Sequence, residues 1–97
     1  MSAPRNEVIV DSVCAKDISR LPNEVQEKLA LLLDTLAVNP FDPLLHTKPL
    51  SVPLQGMFSF RITRGYRVGF KFHKTYVIQL LAAGSRDKIY ERLRRKS

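Results

Sequence analysis

Arg61, Arg67, Arg86 and Tyr90 have the residue types and the spacing to hold and work on a phosphate. Side chains alternate along a strand, so the runs FSFRIT and GYRVGFKF can each be resolved into two faces. The register that buries the large apolar groups together sets Ile62 opposite Tyr66, Phe60 opposite Val68 and Phe58 opposite Phe70. On the other face it sets Arg61 directly opposite Arg67 and Ser59 opposite Gly69. Like charges paired across a sheet repel, by a few tenths up to about 1 kcal/mol, and an anion held between them relieves that. The arginine fork suits phosphate, and a bare glycine leaves room for a backbone to approach. The competing reading is a solvated sheet face on which the two side chains splay apart, and the pair alone does not choose.

Further along, the spacing places Arg86 in the first turn of a closing helix, where free N–H groups favour an anion. Tyr90 follows four residues later on the same helical face, while Ile89 and Leu93 point inward. Tyr90 is the first candidate to move a proton, but a phenol is a weak base unless nearby cations assist it, so His46 and Lys48 stand as alternative proton carriers. Lys48, Arg64, Lys71, Lys74 and His46 are the further candidates for contacting a polyanion. His73 falls in a hairpin turn and reads as solvated. Cys14 has no neighbouring base and reads as structural, and Ser85 reads as a helix cap.

The elements that must position these groups follow from the pattern. EVIVD (7–11) is β-branched and reads as an edge or first strand. A short helix is expected over 15–21. A longer one starts near Pro22, with Val25, Leu29, Leu32, Leu33 and Leu36 at helical spacing, and stops at Asn39-Pro40. Residues 40–55 hold four of the six prolines and read as an ordered, extended connector. Strands are expected over 57–63, 66–72 and 76–82, the first two joined tightly through Gly65 in a left-handed conformation, and a helix from about Ser85. The fold class is α+β, with the helices packed on one face of a small, mainly antiparallel sheet: two N-terminal helices, a three-strand meander plus the N-terminal strand, then a C-terminal helix. One domain over 1–97 is expected, with 1–6 flexible.

At 44% apolar and 26% charged, the 97-residue chain falls among globular proteins and away from disordered ones. A single cysteine excludes an internal disulfide and argues against a zinc knot, and no metal or cofactor is expected. No apolar run approaches a membrane span and the first residues lack a signal-peptide core, so a cytoplasmic protein without membrane attachment is expected. The charge is lopsided. Residues 1–45 carry four basic and seven acidic groups, a balance of −3, whereas residues 46–97 carry twelve and two, a balance of +10. Such a field attracts polyanions, nucleic acid first, with an acidic protein as the alternative partner.

The ordered set of a leucine-rich helix ending in NPFDP, a KPL connector, LQG, FRIT, GYRVGFKF and GSRDKIY resembles the RelE/ParE superfamily of toxins from bacterial toxin–antitoxin pairs. The resemblance covers about residues 15–95. It implies two helices against a curved sheet with a C-terminal helix. It also implies one of two activities: a ribosome-dependent mRNA interferase, as in RelE-like and YoeB-like members, or a ParE-like inhibitor of DNA gyrase without nuclease activity. A third reading is a noncatalytic basic domain acting only with its partner. Arg67 matches the arginine that stabilises the cleaved phosphate, Arg61 a basic position on the neighbouring strand, Arg86 the arginine after the last strand, and Tyr90 the C-terminal tyrosine at shorter spacing. Thr63 stands where a second lysine would be. Lys48 stands at the place of the YoeB-like glutamate general base, which argues against a carboxylate mechanism. The implied partners are a cognate acidic antitoxin, the ribosome and mRNA, and operator DNA only in complex with the antitoxin.

Overall fold

The computed structural model describes residues 5–96, so the expected flexibility of 1–6 lies mostly outside the described residues. Within them, Asn6 is held: its backbone N–H and its Nδ2 both donate to the Ala37 carbonyl, at 2.8 and 3.1 Å. The elements run β1 (Glu7–Val10), α1 (Ser12–Ser19), α2 (Asn23–Val38), a single 3-10 turn (Pro43–Leu45), β2 (Lys48–Pro49), β3 (Phe58–Thr63), β4 (Tyr66–Lys74), β5 (Val77–Ser85) and α3 (Ile89–Arg94). The sheet has the order β1-β5-β4-β3-β2, with β1 parallel to β5 and the other pairs antiparallel. The fold is α+β, as expected, with a fifth strand that the proline-rich connector contributes at Lys48 and Pro49.

Helix α1 starts earlier than its apolar spacing suggests, because the Asp11 carboxylate caps it by accepting from the Cys14 N–H at 2.7 Å. Helix α2 begins after Pro22 and ends where Asn39 turns extended ahead of Pro40. Its Val25, Leu29, Leu32 and Leu36 are buried against Phe60, Ile62, Val68, Phe70, Ile78 and Leu80 of the sheet. The opposite sheet face carries a second cluster of Leu54, Met57, Leu81, Ala82, Ile89 and Leu93. The expectation that all helices share one face is therefore corrected: α3 and the loop before β3 cover the other side, because Ile89 and Leu93 need apolar cover of their own.

Two further details differ from the sequence reading. A bulge at Ile62 sets Thr63, in place of Ile62, opposite Tyr66, while the pairs Phe58–Phe70, Ser59–Gly69, Phe60–Val68 and Arg61–Arg67 stand as expected. Gly65 does not adopt a left-handed conformation; the positive φ values fall at His46, Tyr76 and Gly56. His73 belongs to the exposed end of β4, since the turn comes one residue after Lys74.

Candidate functional site

The β3–β4 register puts Ser59, Arg61 and Arg67 on the sheet face that α3 partly covers, and β2 adds Lys48 by pairing it with Ser59. His46 precedes β2 in a left-handed conformation at the end of the 3-10 turn. His46, Lys48, Ser59, Arg61 and Arg67 together line a cavity of about 200 Å³. Ser59 is 1% exposed and forms its floor, and the two arginines are half-buried. No carboxylate lines this cavity, and neither Arg61 nor Arg67 forms an ion pair with any other described residue. Two unneutralised, opposed guanidinium groups in a concave, half-buried place can meet an anion by charge and by hydrogen bonding.

The space above Gly69 is not available to a ligand. A Cβ there would lie 2.4 Å from Leu93 Cδ2, so the bare backbone accommodates α3, which corrects the expectation of an approach route for substrate. Tyr90 faces a neighbouring cavity of about 360 Å³, walled by Lys48, Leu50, Leu54 and Arg94. Lys48 is the shared wall, its Nζ 5.6 Å from the centroid of the Tyr90 ring, within the range of a cation–π contact. Tyr90 thus adjoins the arginine pair through Lys48 and does not line the same cavity.

Arg86 lies elsewhere. Ser85 ends β5, α3 starts only at Ile89, and Lys88 at its head provides no side-chain cap, so Arg86 is not in a helical first turn and Ser85 is not a cap. Its N–H is taken by the Gly65 carbonyl at 2.9 Å. Arg86 shares a depression of about 560 Å³ with Arg64, Gly65 and Asp87, at the tip of the β3–β4 hairpin. Lys71 sits on the Arg67 face of β4, four residues or roughly 13 Å further along, and Lys74 is exposed at the far end. Neither lines the cavity of the arginine pair.

The sequence reading missed a tie that sets the position of α3. Strand β1 stops opposite Leu80, which leaves the outer edge of β5 uncovered beyond it. There the buried carboxylate of Asp17 accepts from the Ala83 N–H at 3.2 Å and from Arg92 Nη1 at 3.0 Å. Arg92 crosses over Gly84, where a Cβ would come 3.0 Å from its Nε, and that buried nitrogen has no partner. Lys96 joins the same clasp by binding Asp11. Burial pushes the Asp11 carboxyl up, but Lys96 and the Cys14 and Val13 N–H groups outweigh it and hold it below its ordinary value. The available signal was the spacing of Cys14, Asp17 and Leu21, which puts an acid on the inward stripe of α1. Cys14 is fully buried, and burial first, then Asp11 and Asp17, push its thiol up to about 12, as suits a structural residue.

Among the described residues no helix is long and apolar enough to cross a membrane, and no three His, Cys, Asp or Glu side chains converge as a metal site would require. No protein-family model matches the sequence, and no curated protein does. Solved structures do match. A chain of the toxin–antitoxin complex RelBE2 from Mycobacterium tuberculosis superposes with a TM-score of 0.72 at 21% identity, over 84% of this chain and 99% of that one. The YoeB/ParE toxin from Agrobacterium tumefaciens gives 0.71 at 19% identity, over 81% and 96%. YafQ from E. coli strain BL21(DE3) gives 0.71 at 15% identity, over 88% and 98%. At these identities it is the arrangement of helices and strands that is shared, and the chain carries the fold of the RelE/ParE superfamily of toxins.

Proposed function

We propose that the protein is the toxin of a type II toxin–antitoxin pair and acts in the cytoplasm, as one domain, as a metal-independent mRNA endoribonuclease on the ribosome. The observation that carries this reading is the cavity in which Arg61 faces Arg67 with Lys48 and His46 beside them and no carboxylate among its walls. The +10 balance of residues 46–97 supports a polyanionic partner. RNA supplies its own nucleophile. A 2′-hydroxyl attacks the adjacent phosphorus, the new bond to the 2′ oxygen forms, and the bond to the 5′ oxygen breaks. The products are a 2′,3′-cyclic phosphate and a 5′-hydroxyl. One proton leaves the attacking hydroxyl and one reaches the departing oxygen.

Arg61 and Arg67 hold the scissile phosphate and meet the charge that grows on its oxygens. His46 and Lys48 line the same cavity, so the imidazole takes the hydroxyl proton and the ammonium protonates the leaving group. Tyr90, behind Lys48, keeps that ammonium in place. A small acidic antitoxin is the expected inhibitor, and the similar structures include toxin–antitoxin complexes. Operator DNA is contacted only through that complex. The test is induction of the wild type and of Arg67→Ala, with 5′ ends mapped on translated messages. Cuts at codon positions that vanish in the variant support the reading. Growth arrest with intact messages overturns it and points to gyrase, where supercoiling inhibition without RNA products would follow.

A further inference from the structure

The basic groups around the site fall into two sets with no lining residue in common. Arg61 and Arg67 line one cavity, and Arg64 and Arg86 line the depression at the hairpin tip. We infer that the depression between Arg64 and Arg86 is a second phosphate subsite, which takes the phosphodiester adjacent to the one at Arg61 and Arg67 on the same RNA strand. The inference rests on the nuclease reading above.

Three features argue for it. The first is position. Arg67 pairs with Gly84, and Arg86 lies two residues further along the same chain segment, so the backbone positions that carry Arg67 and Arg86 are about 7 Å apart along the strand direction. The two side chains line separate cavities, and successive phosphates of one strand are separated by a comparable distance. The second is rigidity: Ser85 pairs with Tyr66, and the Arg86 N–H is bonded to Gly65, so the hairpin tip and the segment bearing Arg86 move as one piece. The third is charge. Arg64 has no ion pair among the described residues, and Arg86 has only Asp87, at 3.9 Å with both side chains largely exposed. Such a contact is weak. Two arginines and one aspartate leave a balance of +1, which matches the single charge of a diester better than the two charges of a terminal phosphate.

The consequence is a minimum substrate length. A dinucleotide, with one phosphate, engages only the Arg61–Arg67 cavity, and a longer strand engages both. The test uses uncleavable 2′-O-methyl RNA probes, a dinucleotide and a tetranucleotide, titrated into the protein at low salt and followed by NMR. Arg86→Gln and Arg64→Gln should each weaken the tetranucleotide about fivefold to tenfold and leave the dinucleotide within about twofold. Together they should reduce the slope of log affinity against log salt by about 0.7, the contribution of one single-strand phosphate. Equal weakening of both probes by Arg86→Gln overturns the inference and returns Arg86 to the scissile phosphate. An unchanged tetranucleotide overturns it as well. Arg67→Gln should weaken both probes. If it weakens neither while Arg86→Gln still affects only the longer one, the nuclease reading fails and the subsite stands as a nucleic-acid contact.

Discussion

Arg61 lies directly opposite Arg67 across β3 and β4, and neither is neutralised by a carboxylate among the described residues. A sheet built for stability alone would place an acid or a neutral group at one of the two positions. The pair is therefore a local repulsion in the folded protein, which an anion held between the two would relieve.

Replacing either arginine should separate stability from function. Arg67→Gln should raise the unfolding free energy by a few tenths to about 1 kcal/mol, since it removes the repulsion. The same change should lower cleavage by about 10²–10³, as loss of one transition-state donor does. Urea denaturation checks the first outcome and message cleavage the second, and a variant that loses both stability and activity would indicate a packing role only.

Asp17 is the acid whose loss matters most to the architecture. It is buried at 6% exposure and serves both the edge N–H of Ala83 and the guanidinium of Arg92. Asp17→Ala should destabilise by about 2–3 kcal/mol, below the usual range for a broken buried pair because the Arg92 side chain is 37% exposed. Arg92→Met, which removes the charge and keeps the stem over Gly84, should cost less. Chemical denaturation of the two variants compares them directly.

Gly69→Ala should displace α3. The added methyl meets Leu93 at 2.4 Å in a fully buried position, so the helix must shift or the side chain must leave its place. A loss of about 1–3 kcal/mol is expected, and Leu93→Ala in the same chain should recover part of it. Non-additive melting temperatures for the double variant are the readout.

The Cys14 thiol, pushed up to about 12 by burial, should not react with iodoacetamide in the native protein at pH 8 and should react fully once unfolded. Because the folded value lies above the ordinary one of 9.0, the neutral buried thiol supports the fold fully below about pH 9. That support fades as pH rises toward about 12. Cys14→Ala should flatten this alkaline loss.

Much of this was legible in the sequence. Apolar alternation in FSFRIT and GYRVGFKF, together with the short turn at Arg64 and Gly65, sufficed for the arginine pairing, because a one-residue slip would turn the phenylalanines outward and a longer slip would not fit the turn. The leucine spacing of α2 likewise located its buried stripe. What the sequence hid depended on elements distant along the chain. Gly69 read as open space because nothing local shows that Leu93 fills it. Arg86 read as a helix residue because GSRD imitates a cap, whereas the hydrogen bond to Gly65 holds it on the hairpin tip. Lys48 was already a candidate from the sequence, but that its stretch of connector forms a strand paired to Ser59 was not. The tie between Asp17 and Arg92 joins residues 75 positions apart, so the spacing of Cys14, Asp17 and Leu21 marks the acid as inward but does not name its partner.

In the proposed reaction the arginine pair serves cleavage by the RNA's own 2′-hydroxyl. The most direct measurement is the chemistry of the new 3′ ends, made on messages translated by purified ribosomes. The expected ends are 2′,3′-cyclic phosphates, formed by the wild type and lost in Arg61→Ala and Arg67→Ala. Ends bearing a 3′-hydroxyl, or cyclic ends that persist unchanged in both variants, would contradict it.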